Sequence, residues 1–240
     1  MDPQIIIPNL EGYHNSNPDT VNRLKKSKSY RDLSTVIICP TRGTIHCKVV
    51  QSWMGLIRPM NQVVIGPIFA SGFEVGHAYE IMINHIVNNP AFNMFKYLVT
   101  IEEDNMPPPD GLMKLYESMD DYDVVGGLYW TKGEGGQPMI YGNPYEQPKN
   151  FRPQIPIQNG IQPANGLGMG FNMYKLDMFR DTSLRRPWFR TAQEYIPGEG
   201  TKLYTQDLYF FEDAAKHGYK FACDTRVRVG HYDISNDLVW

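Results

Sequence analysis

The run Tyr97-Leu98-Val99-Thr100-Ile101 is apolar, rich in β-formers, and stops at once at Glu102-Glu103-Asp104-Asn105 and Pro107-Pro108-Pro109. A run of that length, closed by charges and prolines, predicts a buried strand. Three consecutive carboxylates stand where it ends. In an open α/β sheet, ligands bind outside the carboxyl ends of the strands, so these acids would face a crevice. Adjacent negative charges repel one another, and their partial burial is unfavourable without a cation nearby. One chemical reading is a divalent-metal site with hard oxygen ligands, of the kind that holds a diphosphate. The other is a solvated acidic turn closed by prolines.

The flanking chain alternates between strand-like and helix-like segments. Thr35-Val36-Ile37-Ile38-Cys39 reads as a strand ended by Pro40, followed by Thr41-Arg42-Gly43 and a helical spacing through Val49, Val50, Trp53, Met54 and Ile57. Val63-Val64-Ile65 is a second strand, and residues 78–89 carry the apolar spacing of an amphipathic helix. A helix begins at Pro109-Asp110, and Asp123 to Leu128 is a fourth strand. This alternation predicts parallel pairing and a doubly wound sheet. Neither G-x-G-x-x-G nor a phosphate-binding P-loop is present. Arg42 at a strand's carboxyl end suits a base or a phosphate, and equally reads as an ordinary surface arginine.

The pattern changes after Trp130. Prolines recur at 138, 144, 148, 153, 156 and 163 behind Gly133, Gly135 and Gly136. A loop as long as 130–163 in a compact domain is either functional or disordered, and its aromatics Trp130, Tyr141, Tyr145 and Phe151 argue against disorder. The sharper reading is a substrate-covering or acceptor-binding segment. Gly166, Gly168 and Gly170 alternate in Asn165 to Met173, a pattern that lets backbone approach a ligand or marks a bulged strand. Tyr174 to Phe179 reads as a short helix. Thr205-Gln206-Asp207 opens an amphipathic helix that stops at Gly218, with Asp207 in the first turn where the helix dipole favours a carboxylate. Phe221 to Asp224 and Val227 to His231 read as two short closing strands.

Composition narrows the classes. At 240 residues and 42% hydrophobic content the chain can bury a full core. Lys+Arg 23 against Asp+Glu 26 leaves net charge −3, which does not indicate a polyanion partner. A DNA acceptor would need a local basic face, such as Lys149, Arg152, Arg185, Arg186 and Arg190. The apolar runs are strand-sized, so neither a signal peptide nor membrane insertion is expected. Cys39, Cys47 and Cys223 lack metal-ligand spacing and fit reduced thiols of a cytoplasmic protein. Residues 1–33 read as an N-terminal extension: Ile5-Ile6-Ile7 is a candidate edge strand, and Lys25, Lys26, Lys28 and Arg31 form a small basic run.

The order of parts is specific. A first strand ends in Pro-Thr, an acidic triplet follows the third strand, and glycines precede an acid that opens a late helix. Gly218-Tyr219, Asp224 and Val229-Gly230-His231 close the series. Over about residues 34–233 this resembles the GT-A-fold glycosyltransferases, broadly the family-2-like enzymes and the small ones common in phage and bacterial genomes. The resemblance implies an α/β fold with a Rossmann-like, mostly parallel central sheet flanked by helices and a smaller acceptor-side subregion. It divides 34–240 into a donor and metal half, 34–129, and an acceptor half, 130–240.

By the same resemblance Glu102-Glu103-Asp104 matches the D-x-D motif that binds metal and diphosphate, with Asp104 as the direct ligand, Glu102 nearer the ribose, and His231 as the C-terminal metal ligand. A Glu stands where the motif usually has its first Asp. Pro40, Thr41 and Arg42 match the nucleotide-holding positions, and Gly168-Met169-Gly170 the loop beside the donor sugar. Gln206-Asp207 matches the helix-start motif, which makes Asp207 the catalytic base of an inverting enzyme. Trp130, Tyr141 and Gln206 would meet the acceptor. The implied cofactor is Mn²⁺ or Mg²⁺, the donor a nucleotide sugar, by default UDP-linked, and the acceptor a glycan, a small molecule or a modified nucleobase. The implied setting is the cytoplasm of a bacterial or phage-infected cell. Open beside it stand a retaining transferase, a nucleotidyltransferase, a hydrolase and a non-catalytic nucleotide- or sugar-binding module of the same fold.

Overall fold

A computed structural model describes residues 31–198 and 200–240, and the segment Ile5–Ile7 and the lysines of the basic run lie outside them. Leu33–Trp240 form one compact unit. In chain order its elements begin β1 (Thr35–Thr41), α1 (Cys47–Met54), β2 (Val64–Ser71), α2 (Val75–Asn88), β3 (Tyr97–Ile101), β4 (Asn105–Met106), α3 (Gly111–Ser118) and β5 (Val124–Leu128). They continue with β6 (Ile140–Tyr141), β7 (Ile161–Ala164), β8 (Gly166–Leu167), β9 (Phe171–Lys175), β10 (Ala192–Ile196), β11 (Gly200–Tyr204), α4 (Gln206–Lys216), β12 (Phe221–Arg228), β13 (Gly230–Asp233) and β14 (Leu238–Val239). No helix among the described residues is long and apolar enough to cross a membrane.

Seven strands form the main sheet in the order β2-β1-β3-β9-β5-β12-β7. Successive side chains of a strand leave on opposite faces, and the core divides accordingly. Val36, Ile38, Leu98, Val124 and Tyr174 pack on one face beneath α2 and α4, which contribute Tyr79, Ile83, Ile86, Phe210 and Phe211. Ile37, Cys39, Val99, Val125 and Met173 pack on the other with Leu112, Leu115 and Tyr116 of α3. The apolar runs of β1, β3 and β5 are continuous because both faces are covered.

The helices start and stop for local reasons. Glu74 caps α2 by accepting from the His77 N–H at 2.9 Å. On α4, Asp207, Phe210, Phe211 and Ala214 share the buried stripe, and Gly218 ends the helix at φ 87°, a conformation that disfavours a side chain.

Three expectations change. The pairing is not wholly parallel, since β9 and β7 run antiparallel to the other five strands. Tyr174 and Lys175 do not begin a helix; they end β9, and only Leu176–Arg180 turns, as a 3₁₀ segment. The proline-rich stretch 130–163 contains β6, whose Ile140 is fully buried in the core, and runs into β7. In addition, the first closing strand runs without a break to Arg228, and β2 continues through Pro67 to Ser71 as the edge of the sheet.

Antiparallel β9 was obscured by Asn172 at its centre, a poor strand former. Its carboxamide is fully buried, donating to the Gly168 carbonyl at 2.7 Å and the Tyr174 hydroxyl at 3.2 Å. Opposite it, Gly126 has no side chain because a Cβ there would lie 2.1 Å from the Asn172 Oδ1.

Phe210 stacks on Phe189 at 4.8 Å between centroids and on Phe179 at 5.5 Å, joining α4 to the segment after β9. Phe210→Ala should cost about 3–5 kcal/mol of stability, measured by urea unfolding. A loss below 1 kcal/mol would mean that this aromatic cluster does not hold α4 in place.

Candidate functional site

The acidic triplet is clamped by backbone on both sides. The Glu102 N–H donates to the Gly170 carbonyl at 3.1 Å, and the Asn105 N–H to the Glu102 carbonyl at 3.0 Å. β4 then pairs with β13, setting His231 opposite Asn105, while the Tyr232 N–H donates to the Asp104 carbonyl at 2.7 Å. A turn this tight sends the three carboxylates to three different partners.

Glu103 turns back to β1. It accepts from the Thr41 hydroxyl at 2.7 Å, the Arg42 N–H at 2.8 Å and the Arg42 guanidinium. Burial works to raise its carboxyl, but these donors together lower it. Glu103 therefore ties the end of β3 to the turn after β1 and fixes Thr41 and Arg42 in place. Asp104 pairs with the Lys132 ammonium, and its Oδ2 lies 3.4 Å from Nε2 of His231. Burial again opposes ionisation, yet His231 and Lys132 outweigh it and hold Asp104 at about 2.

Glu102 goes the other way. Desolvation, followed by the negative charges of Asp104 and Asp207, pushes it up to about 7, and the Tyr79 hydroxyl donates to it at 3.3 Å. Asp207, 5% exposed in the first turn of α4, is also raised by burial, against the bonds from Thr205 and the Leu208 N–H at 2.8 Å. Its charge is felt at Glu102, Tyr129 and Tyr141, so it shares one low-dielectric neighbourhood with them.

The three acids border a cleft of about 300 Å³ walled also by Pro40, Thr41 and Arg42 and by Phe73 and Val75. Phe73 is half exposed and edge-on to His77, an aromatic surface at the cleft wall. A second cleft of about 390 Å³ lies at Glu117, Tyr122 and Arg226 and shares no residue with the acids above.

The glycine loop sits beside the triplet because β9 is antiparallel, so its start meets the end of β3. Its glycines admit protein rather than open space. A Cβ on Gly168 would meet the Tyr129 hydroxyl at 2.3 Å, and one on Gly170 the Asn105 Nδ2 at 2.7 Å. Met169 is buried, its sulfur accepting from the Tyr174 hydroxyl at 3.0 Å. Of the acceptor candidates, Trp130 and Tyr141 are half-buried on the segment after β5, and Gln206 packs its Cβ near Gly76. Two arginines of the proposed basic face are committed elsewhere: Arg185 stacks on Tyr209, and Arg186 stacks on Trp188 and pairs with Glu80.

The donor set fits a divalent ion with two protein ligands. The Nδ1 of His231 lies 2.8 Å from the Trp130 carbonyl, which can only accept, so Nδ1 carries a proton and Nε2 is the ring nitrogen that faces Asp104. Among the described residues no three His, Cys, Asp or Glu side chains gather to hold an ion, and the Glu102 carboxylate accepts from the Tyr79 hydroxyl. A two-ligand site with further positions left to other oxygen donors is of the kind that Mg²⁺ or Mn²⁺ takes.

Sequence reasoning missed Tyr79, Tyr129, Phe73 and Lys132. Tyr79 lies on the apolar stripe of α2 and reads as core. Lys132 carried a signal, as the one cation between Trp130 and the three glycines that follow.

No family model matches the chain, and no curated protein does. Among solved structures it is similar to A197 from STIV, at 18% identity and a TM-score of 0.58, over 86% of this chain and 92% of that one. It is also similar to GalNAc-T7 solved with UDP, GalNAc and Mn²⁺, at 10% identity and a TM-score of 0.56, over 85% of this chain but 44% of that one. At these identities the likeness concerns the fold, and the fold is GT-A.

Because Glu102 is raised from 4.5 to about 7, it favours folding when protonated, and that contribution is lost as pH rises from about 4.5 through 7. Glu102→Gln should therefore raise the melting temperature at pH 8, by the equivalent of at most about 3 kcal/mol, with no gain near pH 4. A pH-independent difference would show that the carboxyl does not titrate in this range.

Proposed function

We propose that this chain is a metal-dependent glycosyltransferase that moves a sugar from a nucleotide-sugar donor, with UDP the default base, to an acceptor hydroxyl. The observation that carries the reading is a convergence at one sheet edge. The buried, proton-seeking Asp207 lies within electrostatic reach of Glu102, beside the Asp104–His231 pair and the Arg42 cleft. The GT-A fold, with UDP and Mn²⁺ bound in the GalNAc-T7 relative, agrees with it.

In this reading the cleft takes the nucleotide. Thr41 and Arg42, braced by Glu103, hold its phosphates, and Phe73 offers its ring to the base. Asp104 and His231 would hold Mn²⁺ or Mg²⁺, which supplies positive charge to the departing diphosphate. The acceptor rests against Trp130, Tyr141 and Gln206. Oδ1 of Asp207 accepts the Leu208 N–H, and its carboxylate takes the acceptor's proton. The acceptor oxygen bonds to the anomeric carbon as the bond from that carbon to the diphosphate oxygen breaks, with inversion of configuration.

A raised carboxyl suits this base, since it accepts a proton near neutral pH more readily than an ordinary aspartate. Asp207→Asn should lower transfer by about 10²–10⁴-fold while leaving Mn²⁺-dependent UDP binding intact. Retained transfer would remove Asp207 from the base role, and NMR of the product's anomeric proton separates inversion from retention.

Asp104→Ala should abolish the Mn²⁺-dependent rise in melting temperature that UDP produces in the parent chain. An undiminished rise would place the metal elsewhere.

A further inference from the structure

Lys132 has no counterpart in the scheme above, yet among the described residues its ammonium and the His231 ring are the basic groups within ion-pair distance of Asp104. Its ammonium rests on Oδ2, the same oxygen that faces Nε2 of His231. An ammonium and a divalent ion on that oxygen therefore exclude one another. The pair is partly withdrawn from water, with side chains 31% and 22% exposed, so it is stronger than an open surface pair.

Lys132 is also well placed to move. The Thr131 N–H donates to the Gln137 carbonyl at 2.9 Å, and the Gln137 N–H donates to the Thr131 hydroxyl at 2.8 Å. This double bond pattern closes the loop that carries Lys132, whose tip turns through Gly133 and Gly135 at positive φ with open space around both. Trp130, two residues earlier, fixes His231 through its carbonyl. The backbone is thus held, while the four-carbon stem of Lys132 has the rotatable bonds to carry its ammonium to a second partner. The charges supply the direction. Glu102, Glu103, Asp104 and Asp207 crowd this edge, and Arg42 is already engaged by Glu103. A divalent ion on Asp104 repels the ammonium, and a diphosphate arriving with that ion offers it a new anionic partner.

We propose that Lys132 is a resident cation of the donor site that neutralises Asp104 before the metal arrives and pairs with the donor's diphosphate once it has. This rests on the glycosyltransferase reading given above. Its consequence is that removing the ammonium changes metal and diphosphate binding in opposite directions.

The test uses the full chain and two probes: Mn²⁺ alone, followed by electron paramagnetic resonance of the free ion, and inorganic pyrophosphate in saturating Mn²⁺, followed by calorimetry. Lys132→Gln should bind Mn²⁺ roughly three- to tenfold tighter, since a competing ion pair is gone. It should bind Mn²⁺-pyrophosphate about tenfold more weakly, since a charge-assisted contact is gone. Lys132→Arg should stay near the parent chain in both. Lys132 is a partly exposed loop residue, and a thermal melt of each variant establishes that it is folded.

Asp104→Asn separates the two levels of the argument. If the parent chain shows no Mn²⁺ binding that Asp104→Asn removes, both the metal-site reading and the Lys132 proposal fall. If that binding is present but Lys132→Gln leaves it unchanged or weaker, the proposal alone falls. Tighter Mn²⁺ with unchanged pyrophosphate overturns the proposal as well, because Lys132 would then only obstruct the metal.

Discussion

Strand β9 is the join on which the structure depends. It lies between β3 and β5, pairing antiparallel with both, and so links the parallel group β2-β1-β3 to the parallel group β5-β12. A parallel strand in that slot would have begun at the opposite edge of the sheet. Because β9 is antiparallel, the backbone that feeds it crosses the carboxyl edge. The Gly170 carbonyl accepts from Glu102 there, and the Met169 carbonyl from the Thr100 hydroxyl at 2.9 Å. The chemistry of the edge and the integrity of the sheet are thus held by the same hydrogen bonds.

The electrostatics of that edge follow from how unequally its acids are served. Glu103 has three donors and Asp104 has Lys132 and His231, so both stay ionised despite burial. At Glu102 and Asp207 desolvation outweighs the donors, and both rise. Two carboxylates are thereby fixed as anchors and two are held more readily protonated than ordinary carboxylates, a division that enzymes use to separate binding from acid–base work.

Much of this was legible in the chain. Apolar runs covered on both faces predict β1, β3 and β5, and helical spacing predicts α2, α3 and α4, because strong periodicity reports burial directly. The acid triplet at the end of β3 and Asp207 at the start of α4 are local facts, set by which residue follows which. The placement of His231 was partly legible, since it closes an alternating run, but its pairing with Asp104 depends on β13 finding β4 across more than a hundred residues of intervening chain. The alternating glycines also have a packing reason that the sequence did not show. Their missing side chains make room for Tyr129 and Asn105, which are remote in sequence.

Local order in the chain determined the α/β alternation, the acids at a strand's end and the carboxylate at a helix start, since these rest on propensity, period and capping that act over a few residues. Tertiary structure alone decided that β9 runs against its neighbours, that Ile140 of the proline-rich stretch is core, that Glu103 is a brace, and that Lys132 meets Asp104. Each of these is a pairing between distant segments, and its free energy depends on the burial and charge that exist only after the sheet has closed.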